Sequence, residues 1–140
     1  MENIISVVKD AQTYAILIRG KIEVDGVRFL TQQTDEFQLG VMERPAGYEV
    51  KPHLHPERSV TVRGTAEFLY IEKGVVRVTV YDEAWVTLQE EDLHSGDFLL
   101  FLHGGHSLKV IEACRMIEVK QGPYPGDEMA KVFQVPPRRE

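Results

Sequence analysis

The sequence predicts an all-β domain, a sandwich or barrel of about ten short antiparallel strands. Three observations carry this. Most of the chain alternates apolar and polar residues with period two, or forms short apolar runs rich in β-branched and aromatic side chains. Gly, Pro and Asp bound these runs, as expected of turns between strands. No stretch has the length and 3.6-residue pattern of a helix of more than a couple of turns.

Taken in order, "NIISVVKDA" (3–11) is the best candidate for a short helix, with Asn3 placed to cap it. "YAILIR" (14–19), "VRFLT" (27–31), "FQLGVME" (37–43) and "YEVK" (48–51) are strand-like runs separated by Gly, Asp and Pro. "EFLYIEK" (67–73) and "VVRVTVYD" (75–82) alternate on either side of Lys73-Gly74, which reads as a hairpin turn. "YDEAW" reads as a second turn, leading into "WVTLQE" (85–90) and then "DFLLFL" (97–102). "HSLKVIE" (106–112) and "RMIEVKQ" (115–121) complete the set. The prolines of "VPPRRE" cannot continue a ladder, so a frayed tail is expected over 134–140.

One domain, 1–140, is expected, with its barrel core over about 14–121, because a chain of this length supports a single core. Hydrophobic residues at 43% and charged residues at 27% are those of an ordinary globular protein. A net charge of −6 repels polyanions, so nucleic acid is not an expected partner. Lys9, Asp10 and Arg19 interrupt the N-terminal apolar residues, leaving no signal-peptide h-region and no membrane span. Cys114 is the only cysteine and sits among apolar neighbours, which suits a packed strand in a reducing cytoplasm. A homodimer is expected, with "YAILIR" as the shared or exchanged edge.

The chemistry lies in the polar residues that fall at inward positions. An extended chain throws alternate side chains to one face, so His53 and His55 in "GYEVKPHLHPERSV" point the same way. Glu67 shares its parity with Leu69 and Ile71, and His106 with Leu108 and Val110. A carboxylate on a core-facing position needs compensation, and a cation is one of the few available forms. His53, His55, Glu67 and His106 therefore form a candidate shell for a divalent transition metal, with Fe, Mn, Ni, Zn and Cu all compatible with imidazole and carboxylate. His94 falls in a turn, and His103 faces either solvent or the mouth of a pocket. Lys51, Arg58 and Arg63 near the histidines are either solvated charges or the binding groups of an anionic ligand. Gln38, Tyr70, Lys120 and Gln121 are further candidates for the barrel lining, with Tyr70 a candidate substrate-binding residue beside Lys51, Arg58 and Arg63, and Tyr70 and His103 candidates for a general base.

These residues resemble the two sequence motifs of the cupins. Gly47, five residues, His53-Leu54-His55, then Glu67, six residues and Gly74 follow the first motif, with an eleven-residue spacer from His55 to Glu67 where three or four is usual. Gly96, five residues, Leu102-His103-Gly104, then Gly105 and His106 follow the second, with Leu102 in place of its proline. The resemblance implies a cupin-type jelly roll and a metal site built from His53, His55, Glu67 and His106. Across "FQLGVMERPAGYEVKPHLHPERSV", "GGHSLKVIEACRMIEVKQGPYPG" and "DEMAKVF" the chain is similar to small bacterial cupin metalloproteins found with surface-polysaccharide and nucleotide-sugar metabolism. That likeness implies a small anionic or sugar-derived ligand. It leaves open a metal-dependent enzyme, of isomerase, epimerase or dioxygenase type, and a non-catalytic binding protein.

Overall fold

The structure, a computed structural model, describes residues 3–135. The described residues are all-β, with one helix among them, the single turn α1 (Asp127–Ala130). No helix among the described residues is long and apolar enough to cross a membrane.

The first two strands correct the expected helix over 3–11. β1 (Ile4–Lys9) and β2 (Gln12–Ile18) form an antiparallel hairpin in which Ile4 faces Ile18 and Lys9 faces Gln12. Asp10 and Ala11 close it with φ of 50° and 62°, the two successive left-handed residues of a type I′ turn, whose twist matches that of the strands. The sequence hides this turn, because Ala stands where Gly is usual. β3 (Val27–Phe29) and β4 (Gly40–Met42) make a small separate hairpin. Gln38, expected in the barrel lining, instead clasps the loop between them, donating to the carbonyls of Gln32 and Asp35.

The principal sheet is organised on one long strand, β5 (Glu67–Tyr81). Its first residues pair with β7 (Phe98–Phe101) and its last with β6 (Thr87–His94), while β8 (Gly105–Lys120) runs along its other side from end to end. β7 continues to β2 and then β1. Two expected pairs of short strands are thus single long strands, and Lys73-Gly74 is no hairpin turn. Gly74 lies inside β5 at φ 88°, where the register between β5 and β8 shifts. A Cβ there would sit against the Ala113 carbonyl and 2.7 Å from the Cα of Cys114, so the two strands approach too closely for any side chain.

This bulge sets which residues face inward. Ile71 faces Met116 and Val76 faces Val110, so an odd number of steps on β5 matches an even number on β8. The inward set on β5 changes from Leu69 and Ile71 to Val76, Val78 and Val80, and all five are buried. The ribbon curls at the same place, and the antiparallel sheet becomes a half-barrel.

Leu17, Leu93, Leu99 and Phe101 fill the concave side with these residues. Burying each such side chain stabilises the fold by about 1.5–3 kcal/mol. On the convex side Ile16, Ile18 and Leu100 pack with Ile22 and Val24, and Phe37, Leu39 and Val41 cover them. β2 is therefore covered on both faces and hydrogen-bonded on both edges, and "YAILIR" is not the exposed edge expected of it. Cys114 packs against the concave core, as its neighbours predict.

Polar residues fasten the end of the half-barrel where β1 and β2 meet the turn after β5. Asp82, 3% exposed, accepts a 2.5 Å bond from Lys9 and 2.9 Å bonds from the backbone of Ala84 and Val86, which together hold its carboxyl below the ordinary range. Tyr14 donates to Glu83 at 2.6 Å, and this bond to a carboxylate, with burial, pushes its phenol up to about 12. Of the tail expected to fray over 134–140, the last five residues lie outside the described residues.

Candidate functional site

Glu67 and His106 come together on the concave wall. Their positions follow from alternation: Glu67 opens β5 on the same side as Leu69 and Ile71, and His106 opens β8 beside Val80 and two residues before Leu108. Curling of the ribbon then brings these ends face to face, with His106 Nε2 3.3 Å from Glu67 Oε2. The side chains retain 28% and 18% of their exposure, so the pair is recessed yet open to solvent.

Phe101 fixes the imidazole. Its ring stacks on that of His106, centroids 3.7 Å apart and planes within 6° of parallel. Phe101 also faces Glu67 across the β5–β7 ladder, so one buried aromatic ring underlies both members of the pair. The turn before His106 permits the approach. Gly104, at φ 70°, lies against the ring of Tyr14, and a Cβ on Gly105 would come within 2.9 Å of Trp85.

Glu118 and Lys120 complete the polar cluster. Lys120 faces Glu67 in the β5–β8 ladder, Glu118 faces Leu69, and the Lys120 ammonium lies 3.3 Å from the Glu118 carboxylate. The His106 imidazole, followed by Glu118 and the Lys120 charge, holds the Glu67 carboxyl below its usual range, against the opposing effect of burial. Glu67 is thus an ionised acceptor at neutral pH. Sequence reasoning placed Lys120 on this wall and missed Glu118 and Phe101. Glu118 was legible as the residue alternating between Met116 and Lys120.

The other expected ligands lie elsewhere. His53 and His55 are close to each other, their rings 5.1 Å apart, as residues two apart in an extended chain should be. His53 Nδ1 is bound to the Lys51 carbonyl at 2.7 Å. Both are exposed, in a non-strand stretch where every residue from 43 to 61 is exposed, and the strand expected over 48–51 does not form. Among the described residues no three His, Cys, Asp or Glu side chains lie close enough to hold one ion. The four-residue site expected within one chain is therefore present as two separate pairs. Alternation predicted the face of each side chain, but not whether residues 42–61 would reach the β5–β8 wall.

Lys51, Arg58 and Arg63 belong to the same exposed stretch and its continuation. The backbone N–H of Arg63 is held by the Glu36 carboxylate at 3.2 Å. Tyr70 faces Phe98 and Ile117, and its odd separation from Glu67 puts it on the convex side with Phe68. His94 ends β6 exposed, and His103 is exposed beside Tyr14, ring to ring at 6.5 Å.

No known protein family, curated protein or solved structure matches this chain.

Proposed function

We propose that this chain binds a small anionic or sugar-derived ligand at Glu67 and His106, together with a divalent transition metal (Fe, Mn, Ni, Zn or Cu), in the manner of a cupin. The observation that supports this reading is the recessed carboxylate–imidazole pair itself: two donors at 3.3 Å from strands far apart in sequence, backed by Phe101 and flanked by Glu118 and Lys120. Recessed polar groups of this kind beside an apolar curl can fix a ligand's orientation. The same pair, within hydrogen-bond reach, can accept and return a proton, which is the chemistry of an isomerase or epimerase. Nucleotide-sugar and surface-polysaccharide metabolism would supply such substrates.

The non-catalytic reading draws on a specific observation. Tyr70 is on the convex side and His103 stands beside Tyr14, so neither is a general base next to Glu67. Proton transfer would fall to Glu67 and His106 alone.

Metal analysis of protein purified without an affinity tag, followed by titration of nucleotide sugars and keto acids, tests the proposal. Stoichiometric metal and saturable binding are expected, and both should be lost in Glu67→Gln and His106→Ala. Turnover of a bound sugar separates the enzyme from the binding protein. A wild-type protein with neither metal nor ligand would sink both readings.

A further inference from the structure

The described structure contains two halves of a site and two surfaces without partners. β8 has one hydrogen-bonded neighbour, β5, among the described residues, and is an open edge along its sixteen residues. Even on its concave face Val110 is 52% exposed, although it lies opposite the buried Val76. Ile117 and Val119 are 44% and 56% exposed where they continue the apolar strip of Phe68. A long, apolar, unpaired edge is a surface that pairs with another strand.

The second unpartnered surface is the stretch following β4. Tyr48, Val50 and Leu54 alternate with Glu49, Lys51, His53 and His55, the pattern of a strand with one apolar face. Yet Leu54 is 94% exposed, Val50 66% and Val60 64%. Residues 43–64 are held at both ends, by β4 and by Ala66 and β5, and the chain's own sheet buries nothing between 42 and 61.

The parities fit. A strand added to β8 with Tyr48, Val50 and Leu54 beside Ile117 and Val119 presents His53 and His55 on the opposite, concave face, where Glu67, His106, Glu118 and Lys120 stand. A run of this length is also comparable to the roughly 20–30 residues a side of a standard interface.

We propose that residues 43–64 of one copy pack on the open β8 edge of a second copy, reciprocally. His53 and His55 of each chain then complete the Glu67–His106 pair of the other, and the metal and ligand site is shared between two chains. This rests on the metal reading above for its ligands, but not for its contact. The complementary half-site is carried by the same sequence, which makes a second copy the partner that fits.

Two experiments separate the contact from the metal. Chains labelled with ¹⁴N and ¹⁵N, co-refolded and treated with an amine crosslinker, should give mixed-isotope links between Lys51 and Lys109 or Lys120. Same-isotope links alone, a monomer by light scattering, or mixed links from Lys131 in place of Lys51 would overturn the exchange, whatever the metal content. In the second experiment a His53→Ala/His55→Ala chain is co-refolded with a Glu67→Gln/His106→Ala chain, each of which should lose metal alone. Random pairing leaves one intact site in half of the dimers, so about a quarter of the wild-type metal content should return. A wild type that holds metal and a mixture that holds none would leave the metal reading standing and overturn the shared site.

Discussion

The β2–β7–β5 part of the sheet and the β8 edge with residues 43–64 have the same kind of sequence and opposite environments. In the first, Leu17, Leu99 and Ile71 are fully buried between two covered faces. In the second, Val50 and Leu54 in the irregular stretch and Ile117 and Val119 on β8 alternate as regularly in sequence and are exposed. Alternation states that one face of a segment will be covered. It does not state by what, and only for the first region is the cover supplied by the same chain. The difference predicts a stability confined to one half of the molecule and an association property confined to the other.

The largest effect belongs to the closed half. Leu99→Ala should lower unfolding free energy by about 2–5 kcal/mol, because Leu99 is fully buried and touches strands on both sides. Denaturant titration measures this. A loss under about 1 kcal/mol would show that the concave core is not close-packed and would erase the contrast.

Gly74→Ala should follow, at about 1–3 kcal/mol from the left-handed backbone alone, with a further cost from contact with Ala113. The substitution acts on the bulge and not on any apolar area. It should therefore also disturb the Glu67–His106 approach, seen as a change in the His106 ring resonances in NMR. Unchanged stability would mean that β8 leaves room for a side chain at position 74.

These two positions show how much was legible beforehand. Leu99 was readable as core from the run "DFLLFL", and the inward parity of Glu67 and His106 from their apolar neighbours. Gly74 was readable as a break, but a break between alternating runs has the same signature whether the chain reverses or bulges. Only the partner strand, with Ala113 against the glycine, decides between them. The Asp10-Ala11 turn was hidden because its left-handed geometry is carried by residues that do not announce it. For the site, alternation identified both pairs of donors. Their separation was invisible, since the reach of residues 43–64 depends on contacts far apart in sequence.

A pH effect should be found at the end of the closed half. Tyr14 has its phenol raised to about 12 by its bond to Glu83, above the ordinary tyrosine value near 10. A raised folded value means that the neutral form is favoured by folding. The resulting stability is complete below pH 10 and is lost as pH climbs from 10 to 12. Absorbance at the tyrosinate band should show Tyr14 ionising last, a step missing in Tyr14→Phe. A Tyr14 that titrates with the exposed tyrosines would remove this attachment between β2 and the turn after β5.

The smallest effect on the isolated chain is also the one that bears most directly on the open half. Leu54 is 94% exposed, and truncating such a residue removes almost no buried area, so Leu54→Ala should change the stability of the dilute chain by no more than about 0.5 kcal/mol. The Leu99→Ala variant provides the opposite reference. At higher concentration the expectation changes, because a side chain on the apolar face of residues 43–64 would be buried between copies and its loss would weaken association. A reciprocal dimer would bury two such residues, one from each copy, at about 1.5–3 kcal/mol apiece, so the concentration for half-association should rise by roughly a hundredfold or more. Analytical ultracentrifugation of wild type and variant over a dilution series reads this directly. Equal association constants would mean that Leu54 faces solvent in every state, and the open half would then differ from the closed half by having no cover at all.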